Sequence, residues 1–146
     1  MKKVLIGLGI TFLVIIVLFA VFGGFAFLNA NKLTPSIEKF ITDFYGQYRQ
    51  KNFSYIYSSM ADEKFRSTGS LADFEKLMNG IHQRLGFVKE RKKGAWRINY
   101  APDGTYFSIQ YVVTYEKGDA TDSFVLKKHG DSWLLISYNV NSRALF

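Results

Sequence analysis

The 146-residue chain contains no cysteine and only two histidines, His82 and His129. Without cysteine, a disulfide framework, a thiolate metal site, thiol redox chemistry and a lipid-modified cysteine anchor are all excluded. Two isolated histidines do not supply the three or four ligands of a zinc site. A glycine-rich phosphate loop is also missing, because Gly7 and Gly9 lie in an apolar run without a third glycine. We therefore expect neither a metal nor a cofactor.

Charge is absent from residues 4–28, a run of twenty-five residues. A bilayer core about 30 Å thick needs roughly 20 apolar helical residues, so the run predicts a transmembrane helix. The alternative is a cleaved signal peptide, since Lys2 and Lys3 form a positive leading region. The apolar core of a signal peptide covers about 7–15 residues and is followed by small residues at the cleavage site. This run is longer, and its nearest candidate site, Leu28-Asn29-Ala30, begins with leucine. An uncleaved anchor is the prediction.

The charges beside the apolar run indicate its orientation. Lys2 and Lys3 precede the run and only Lys32 closely follows it, which favours a cytoplasmic N-terminus under the positive-inside rule. The predicted organisation is a cytoplasmic tail at 1–3, a transmembrane helix at 4–28, a linker at 29–33 and an extracytoplasmic domain at 34–146. The protein would thus be a single-pass protein of the inner (cytoplasmic) membrane, with its C-terminal domain in the periplasm or at the cell surface.

The period of apolar residues predicts three helices at the start of the domain. The first begins at Thr34-Pro35, where threonine can cap and proline can occupy the first turn, and ends near Lys51-Asn52. A second, short helix covers 53–60, and the polar stretch 61–69 is expected to be a loop or a frayed turn. The third opens with a capping box at Ser70 and ends before Gly86. Within it, Gly80 indicates that another backbone comes close.

From Phe87 onwards the period of apolar residues changes from 3.6 to 2. Four strands are predicted over 87–100, 106–115, 121–128 and 133–141, separated by turns that each contain a glycine. The first of these is long for a strand, and Gly94 marks a bulge or bend within it. Three helices followed by a four-stranded antiparallel meander predict an α+β domain, with the helices on one face of the sheet.

The last predicted hairpin, FVLKKHGDSWLLISY from Phe124 to Tyr138, resembles the closing hairpin of the nuclear-transport-factor-2-like (cystatin-like) superfamily. The chain is similar in particular to small bacterial domains of unknown function in that group, and Arg91 matches a basic position there. The resemblance implies a strongly bent sheet that wraps the first helix into a cone. Some members use the cone as an enzyme pocket. Others, including the periplasmic domain of a type IV secretion scaffold with the same anchored layout, use it for assembly.

Residues that would carry catalysis in such a cone are scarce. Alternation in the second strand places an apolar face toward the core, from Phe107 to Tyr115, and that face has no carboxylate. Both histidines are expected to be structural or solvated, His82 beside an apolar stripe and His129 in a turn. Tyr45, Tyr111 and Tyr138 are the candidates for lining a ligand pocket as hydrogen-bond donors, although buried tyrosines more often simply complete a core.

A basic run in the first strand is the other candidate site. Its members are Lys89, Arg91, Lys92, Lys93 and Arg97. Three interpretations remain open, in decreasing order of preference. The run is a solvated strand that protects a sheet edge, a contact for lipid headgroups or a partner, or a nucleic-acid contact, which an extracytoplasmic location disfavours.

The sequence therefore favours a membrane-anchored interaction or assembly module without catalysis of its own. Its expected partners are the membrane and either another protein or a second copy of the chain, with no nucleic acid. The alternative is a pocket of the ketosteroid-isomerase type that binds, or acts on, a small apolar molecule. The sequence does not identify that molecule.

Overall fold

The computed structural model describes the backbone of residues 30–146 and the side chains from Pro35 onwards. The predicted cytoplasmic tail at 1–3 and the predicted transmembrane helix at 4–28 lie outside these residues. Within residues 30–146, no helix combines the length and the apolar character that crossing a membrane requires.

The long first helix, α1, covers Ala30–Arg49 and so begins four residues before the predicted start at Thr34. Pro35 lies inside it. Because proline has no N–H, α1 loses one hydrogen bond near its start, and the helix tolerates this loss instead of beginning there. Its predicted apolar face is confirmed. The buried residues of that face are Ile37, Phe40, Ile41, Phe44, Tyr45 and Tyr48.

Three shorter helices lie between α1 and the sheet in the chain, and a 3-10 turn over Arg143–Leu145 follows the last strand. Helix α2 covers Phe53–Tyr55 and continues as a π turn over Ile56–Met60, which matches the predicted second helix. Helix α3 covers Glu63–Arg66, within the stretch expected to be a loop or a frayed turn. Asp62 caps α3 by accepting a hydrogen bond from the Lys64 backbone N–H at 2.8 Å, and Phe65 is buried. A cap and one buried ring are enough to stabilise this single turn.

Helix α4 covers Leu71–Leu85 and begins with the predicted capping box. In it, the side chains of Ser70 and Asp73 each accept a hydrogen bond from the backbone N–H of the other residue. It ends at Gly86, whose φ of +76° favours glycine. The expectation that another backbone approaches Gly80 is wrong. A Cβ at that position would have no neighbouring atom from residues 30–146 within 4 Å, and those residues offer no packing reason for this glycine.

The four strands form one antiparallel meander in the order β1-β2-β3-β4, as predicted. Their bounds are Val88–Ala101, Gly104–Tyr115, Gly118–His129 and Ser132–Asn141. Strands β2, β3 and β4 are longer than predicted, because the residues on either side of each two-residue turn still pair with each other. Strand β1 keeps its predicted length and lies one residue later in the chain. The register of β1 on β2 shifts between Lys93 and Trp96, which confirms the bulge at Gly94. The α+β class is therefore confirmed.

The two edges of the sheet differ. At the β4 edge, Ala61 forms a parallel bridge with Leu135, and the Asp62 N–H donates to the Leu135 carbonyl at 2.8 Å. At the other edge, β1 pairs only with β2 among residues 30–146. The helices and the main core lie on one face of the sheet, and Tyr106, Val125 and Ile136 form a separate small apolar cluster.

Candidate functional site

The three tyrosines predicted to line a pocket come together in the core. Tyr45 from α1, Tyr111 from β2 and Tyr138 from β4 surround the ring of Phe124, with ring-centroid distances of 5.9, 6.2 and 5.1 Å. Their exposed fractions are 6, 2 and 4%. The rings therefore fill the space between α1 and the sheet.

A carboxylate that the sequence analysis missed lies among these rings. Asp122 in β3 is completely buried, and its Oδ2 accepts hydrogen bonds from the hydroxyls of Tyr45 and Tyr115, both at 2.6 Å. Its Oδ1 has no hydrogen-bond partner among the described residues, and neither has the buried hydroxyl of Tyr138. Strand alternation places Asp122 on the same core-facing side as Phe124. The alternation of side chains along β3 is therefore the sequence signal that a carboxylate faces the core.

Burial sets the protonation of this cluster. It raises the pKa of Asp122 to about 6, even though the hydrogen bonds from Tyr115 and Tyr45 act in the opposite direction. Burial, followed by the charge of Asp122, raises the pKa of Tyr45, Tyr115 and Tyr138 above the ordinary value. The phenols thus remain neutral donors at physiological pH, whereas the carboxyl changes its charge close to neutrality.

Arg91 connects the basic run to the tyrosine cluster. Its guanidinium carbon lies 5.0 Å from the ring centroid of Tyr45 and 5.9 Å from that of Tyr111. Its Nη2 also donates to the Thr42 hydroxyl of α1 at 3.0 Å. Both contacts are typical of an arginine that packs its flat, weakly hydrated group on aromatic faces. Arg91 therefore closes the rim of the cluster between α1 and β1.

Lys93 makes a second connection between β1 and α1. Its Nζ lies 3.4 Å from a carboxylate oxygen of Glu38, and the two side chains are 33 and 39% exposed. The same Glu38 oxygen accepts a hydrogen bond from the Tyr111 hydroxyl at 3.0 Å. Two members of the basic run are thus engaged with α1.

The rest of the run lies elsewhere. Lys92 and Arg97 are paired in register with Val112 and Ser108, which places them on the sheet face opposite Arg91. Lys89 lies at the register shift between Val88 and Glu90. The five basic residues therefore share one strand but not one face of the sheet.

Two aromatic residues accompany these basic residues. Trp96 is 40% exposed and Tyr100 is 49% exposed, both in β1. The Trp96 ring stacks on Phe107, with centroids 5.6 Å apart and ring planes 4° apart. Stacking holds the indole in position while leaving a large part of it open to solvent.

The histidines form no shared site. His82 packs against Tyr48 and Phe87, and burial lowers its pKa. His129 was expected to be simply solvated, which is wrong, because its Nε2 lies 2.6 Å from Oδ2 of Asp62. Burial raises the pKa of Asp62, but the bonds from the Lys64 backbone and from His129 outweigh it, and the net pKa is lowered. Residue types and spacing carried no signal for this pair, whose members are 67 positions apart.

No group of three or more His, Cys, Asp or Glu residues that could hold a metal ion occurs in the part of the chain that the structure describes. The geometry of the described residues thus offers two candidate sites. One is the enclosed cluster of Asp122 with its tyrosines. The other is the exposed edge strand β1.

Comparison with protein families agrees with this architecture. A family model described as "Protein of unknown function (DUF4019)" matches residues 44–138. The chain belongs to the DUF4019 family. The matched region begins in α1 and ends in β4, so it contains Asp122, the tyrosine cluster and all of β1. The helices and four-stranded antiparallel sheet of this DUF4019 domain are compatible with a cystatin-like fold. No curated protein matches the sequence.

Proposed function

We propose that this DUF4019 protein is a single-pass membrane protein whose extracytoplasmic domain binds a protein partner or a second copy of the chain. The domain has the bent-sheet cone of the cystatin-like superfamily and no catalysis of its own. The anchor is the charge-free run at residues 4–28, and the lysines that precede it favour a cytoplasmic N-terminus.

The closure of the Asp122 cluster is the observation that carries this proposal. A general acid or base must come within hydrogen-bond reach of its substrate. Asp122 is completely buried, and Tyr115 and Tyr138 are 2 and 4% exposed. The ring of Phe44 packs against Phe124 and Tyr138 with centroids 5.0 and 4.9 Å apart. These contacts support a structural role for the cluster, and they leave the surface of the domain as the place for recognition.

The proposal is tested by purifying the tagged full-length chain from membranes in a mild, non-ionic detergent. Cross-linking and light scattering then give the stoichiometry. We expect a stoichiometric membrane protein partner or a homo-oligomer. A strictly monomeric chain without a partner contradicts the binding role. Recovery of the intact chain in the aqueous supernatant, or protection of the domain from protease added to spheroplasts, contradicts the anchor or its orientation.

A second candidate function is favoured by Asp122 itself. A carboxyl whose pKa is about 6 is suited to proton transfer near neutral pH, and Tyr45 and Tyr115 are hydrogen-bond donors beside it. A pocket for a small apolar molecule would require α1 to move away from the sheet. Thermal shifts of the native chain and of Asp122→Asn with a panel of apolar ligands test this function. A ligand that stabilises only the native chain supports a pocket, whereas no shift with any ligand argues against one.

A further inference from the structure

We propose that one end of β1, comprising Trp96, Arg97 and Tyr100, docks on the anionic phospholipid headgroups of the membrane that anchors the chain. This inference rests on the proposed membrane anchor. It goes beyond that anchor because it names the surface of the domain that faces the bilayer and the chemistry that the surface recognises.

The position of Trp96 in the fold is the first argument. Trp96 stacks on Phe107, whose centroid is 6.1 Å from that of Trp133, and the Trp133 indole donates to the Ser36 hydroxyl at 2.9 Å. Ser36 lies six residues after Ala30, the first residue of α1, which is about 9 Å of helix. The charge-free run ends at residue 28. Trp96 is therefore held at the end of α1 that adjoins the predicted bilayer.

The direction of β1 is the second argument. Arg91 contacts Thr42 of α1, and two residues later Lys93 contacts Glu38. Successive residues of β1 thus lie progressively closer to the beginning of α1. Continuing along the strand, Arg97 and Tyr100 lie at the level of Trp96 or closer to the membrane, at about 3.3 Å per residue.

The distribution of charge is the third argument. Strand β1 has five basic residues and one acidic residue, whereas the remainder of 33–146 has eleven of each. The whole positive excess of the domain therefore lies on β1, and Arg97 is the basic residue of that strand nearest its membrane end. Tryptophan and tyrosine are enriched at the headgroup level of bilayers, and anionic headgroups attract basic residues that lie within a Debye length of the surface.

A protein strand is the competing occupant of this edge, and the backbone of β1 disfavours it. The register of β1 shifts twice, between Val88 and Glu90 and between Lys93 and Trp96. Bulges and basic side chains are the features by which edge strands resist pairing with another strand. A lipid surface makes no demand on backbone register, so it fits this edge better.

The test uses the full-length chain in nanodiscs that contain lipids with a nitroxide on the headgroup, which quench tryptophan at the bilayer surface. The chain has two tryptophans, and Trp133 is buried. The native chain is compared with Trp96→Phe, which keeps a ring on Phe107, in anionic and in zwitterionic nanodiscs. We expect strong quenching of the native chain in anionic nanodiscs, weaker quenching in zwitterionic nanodiscs, and little quenching of Trp96→Phe in either.

A charge variant identifies the recognition chemistry. Arg97 is the basic residue of the docking surface, and a basic residue near an anionic surface contributes about fivefold, so Arg97→Gln should lower the ratio of docked to free domain by about fivefold. Quenching in anionic nanodiscs should then fall to the zwitterionic level. The matched control is Lys76→Gln on α4, an exposed lysine outside β1, which should leave quenching unchanged.

The outcomes separate this inference from the proposed function. A chain that does not co-migrate with nanodiscs refutes the anchor and the inference that rests on it. If the chain co-migrates but Trp96 is not quenched, the inference is overturned and the anchor stands. Equal quenching in both lipids, or no effect of Arg97→Gln, overturns recognition of anionic headgroups. Cross-linking of position 97 to a copurified protein instead of lipid shows a protein interface and also overturns it.

Discussion

Replacing Asp122 with asparagine examines the buried carboxyl without changing its shape. The amide oxygen can still accept the two hydrogen bonds from Tyr45 and Tyr115 that reach Oδ2, but the side chain can no longer ionise. The amide nitrogen takes the place of Oδ1, which has no partner among the described residues. An unsatisfied donor there costs about 1–3 kcal/mol, and this cost does not depend on pH.

The pH-dependent part follows from the raised pKa. Burial raises the pKa of Asp122 to about 6 in the folded chain, compared with about 3.9 in an unfolded chain. A carboxyl with a raised folded pKa contributes stability that is complete below the unfolded value and is lost as the pH rises through the folded value. A shift of about two units corresponds to about 3 kcal/mol. Between about pH 3.5 and pH 7, the native chain should therefore lose about 3 kcal/mol of unfolding free energy relative to Asp122→Asn.

The assay is urea denaturation of the full-length chain in a non-ionic detergent, followed by tryptophan fluorescence, at a series of pH values. The control is Asp119→Asn, which makes the same chemical change at an exposed position in the same strand. If the difference between the native chain and Asp122→Asn is the same at acidic and neutral pH, Asp122 does not carry the cost of burial and the reasoning is refuted.

Three further predictions concern local contacts. Tyr115→Phe removes a hydrogen bond that lowers the pKa of Asp122. The pKa of Asp122 should therefore rise, and the unfolding free energy at neutral pH should fall by about 1–3 kcal/mol. An unchanged pH profile in the same urea assay contradicts this prediction. Gly80→Ala should stabilise the chain by up to about 1 kcal/mol in thermal denaturation. Gly86→Ala should destabilise it, because Gly86 has a φ of +76° and a Cβ there would meet a neighbouring side chain. If both variants shift the melting temperature in the same direction, the prediction is wrong. Asp62→Ala removes the cap of α3 and should lower the unfolding free energy by about 1 kcal/mol at neutral pH. This loss should shrink as the pH falls through the lowered pKa of the Asp62 carboxyl. A loss that stays constant with pH contradicts the prediction.

Local features of the chain were predictable where a single segment contains the whole signal. The apolar face of α1 repeats with the helical period, and Ser70 and Asp73 are three positions apart, so both follow from neighbouring residues. The bulge at Gly94 was predictable from a glycine inside a strand pattern, and in the structure a Cβ there would lie 3.1 Å from the Gln110 carbonyl oxygen of the neighbouring strand. The start of α1 was misjudged because Thr34-Pro35 matches a helix start, although a helix can also absorb a proline.

The candidate sites were less predictable because their contacts join distant parts of the chain. The three candidate tyrosines meet in space, but the buried acceptor of the Tyr45 hydroxyl, Asp122, did not follow from the residue pattern. Tyr45 and Asp122 are 77 positions apart, and their contact depends on the packing of α1 over β3. The basic run was predicted as one patch, yet the pleat of β1 and its bulge divide it between the two faces of the sheet.

The sequence by itself determined the order of helices and strands, the antiparallel meander and the concentration of positive charge in β1. These properties depend on the period of apolar residues, on turn residues and on composition, all of which are local. Only the tertiary structure decided that Asp122 is enclosed by tyrosines, that His129 pairs with Asp62 and that Arg91 packs on the rings between α1 and β1. The physical reason is that burial and pairing of polar groups depend on which distant elements pack together, and no local period encodes that packing.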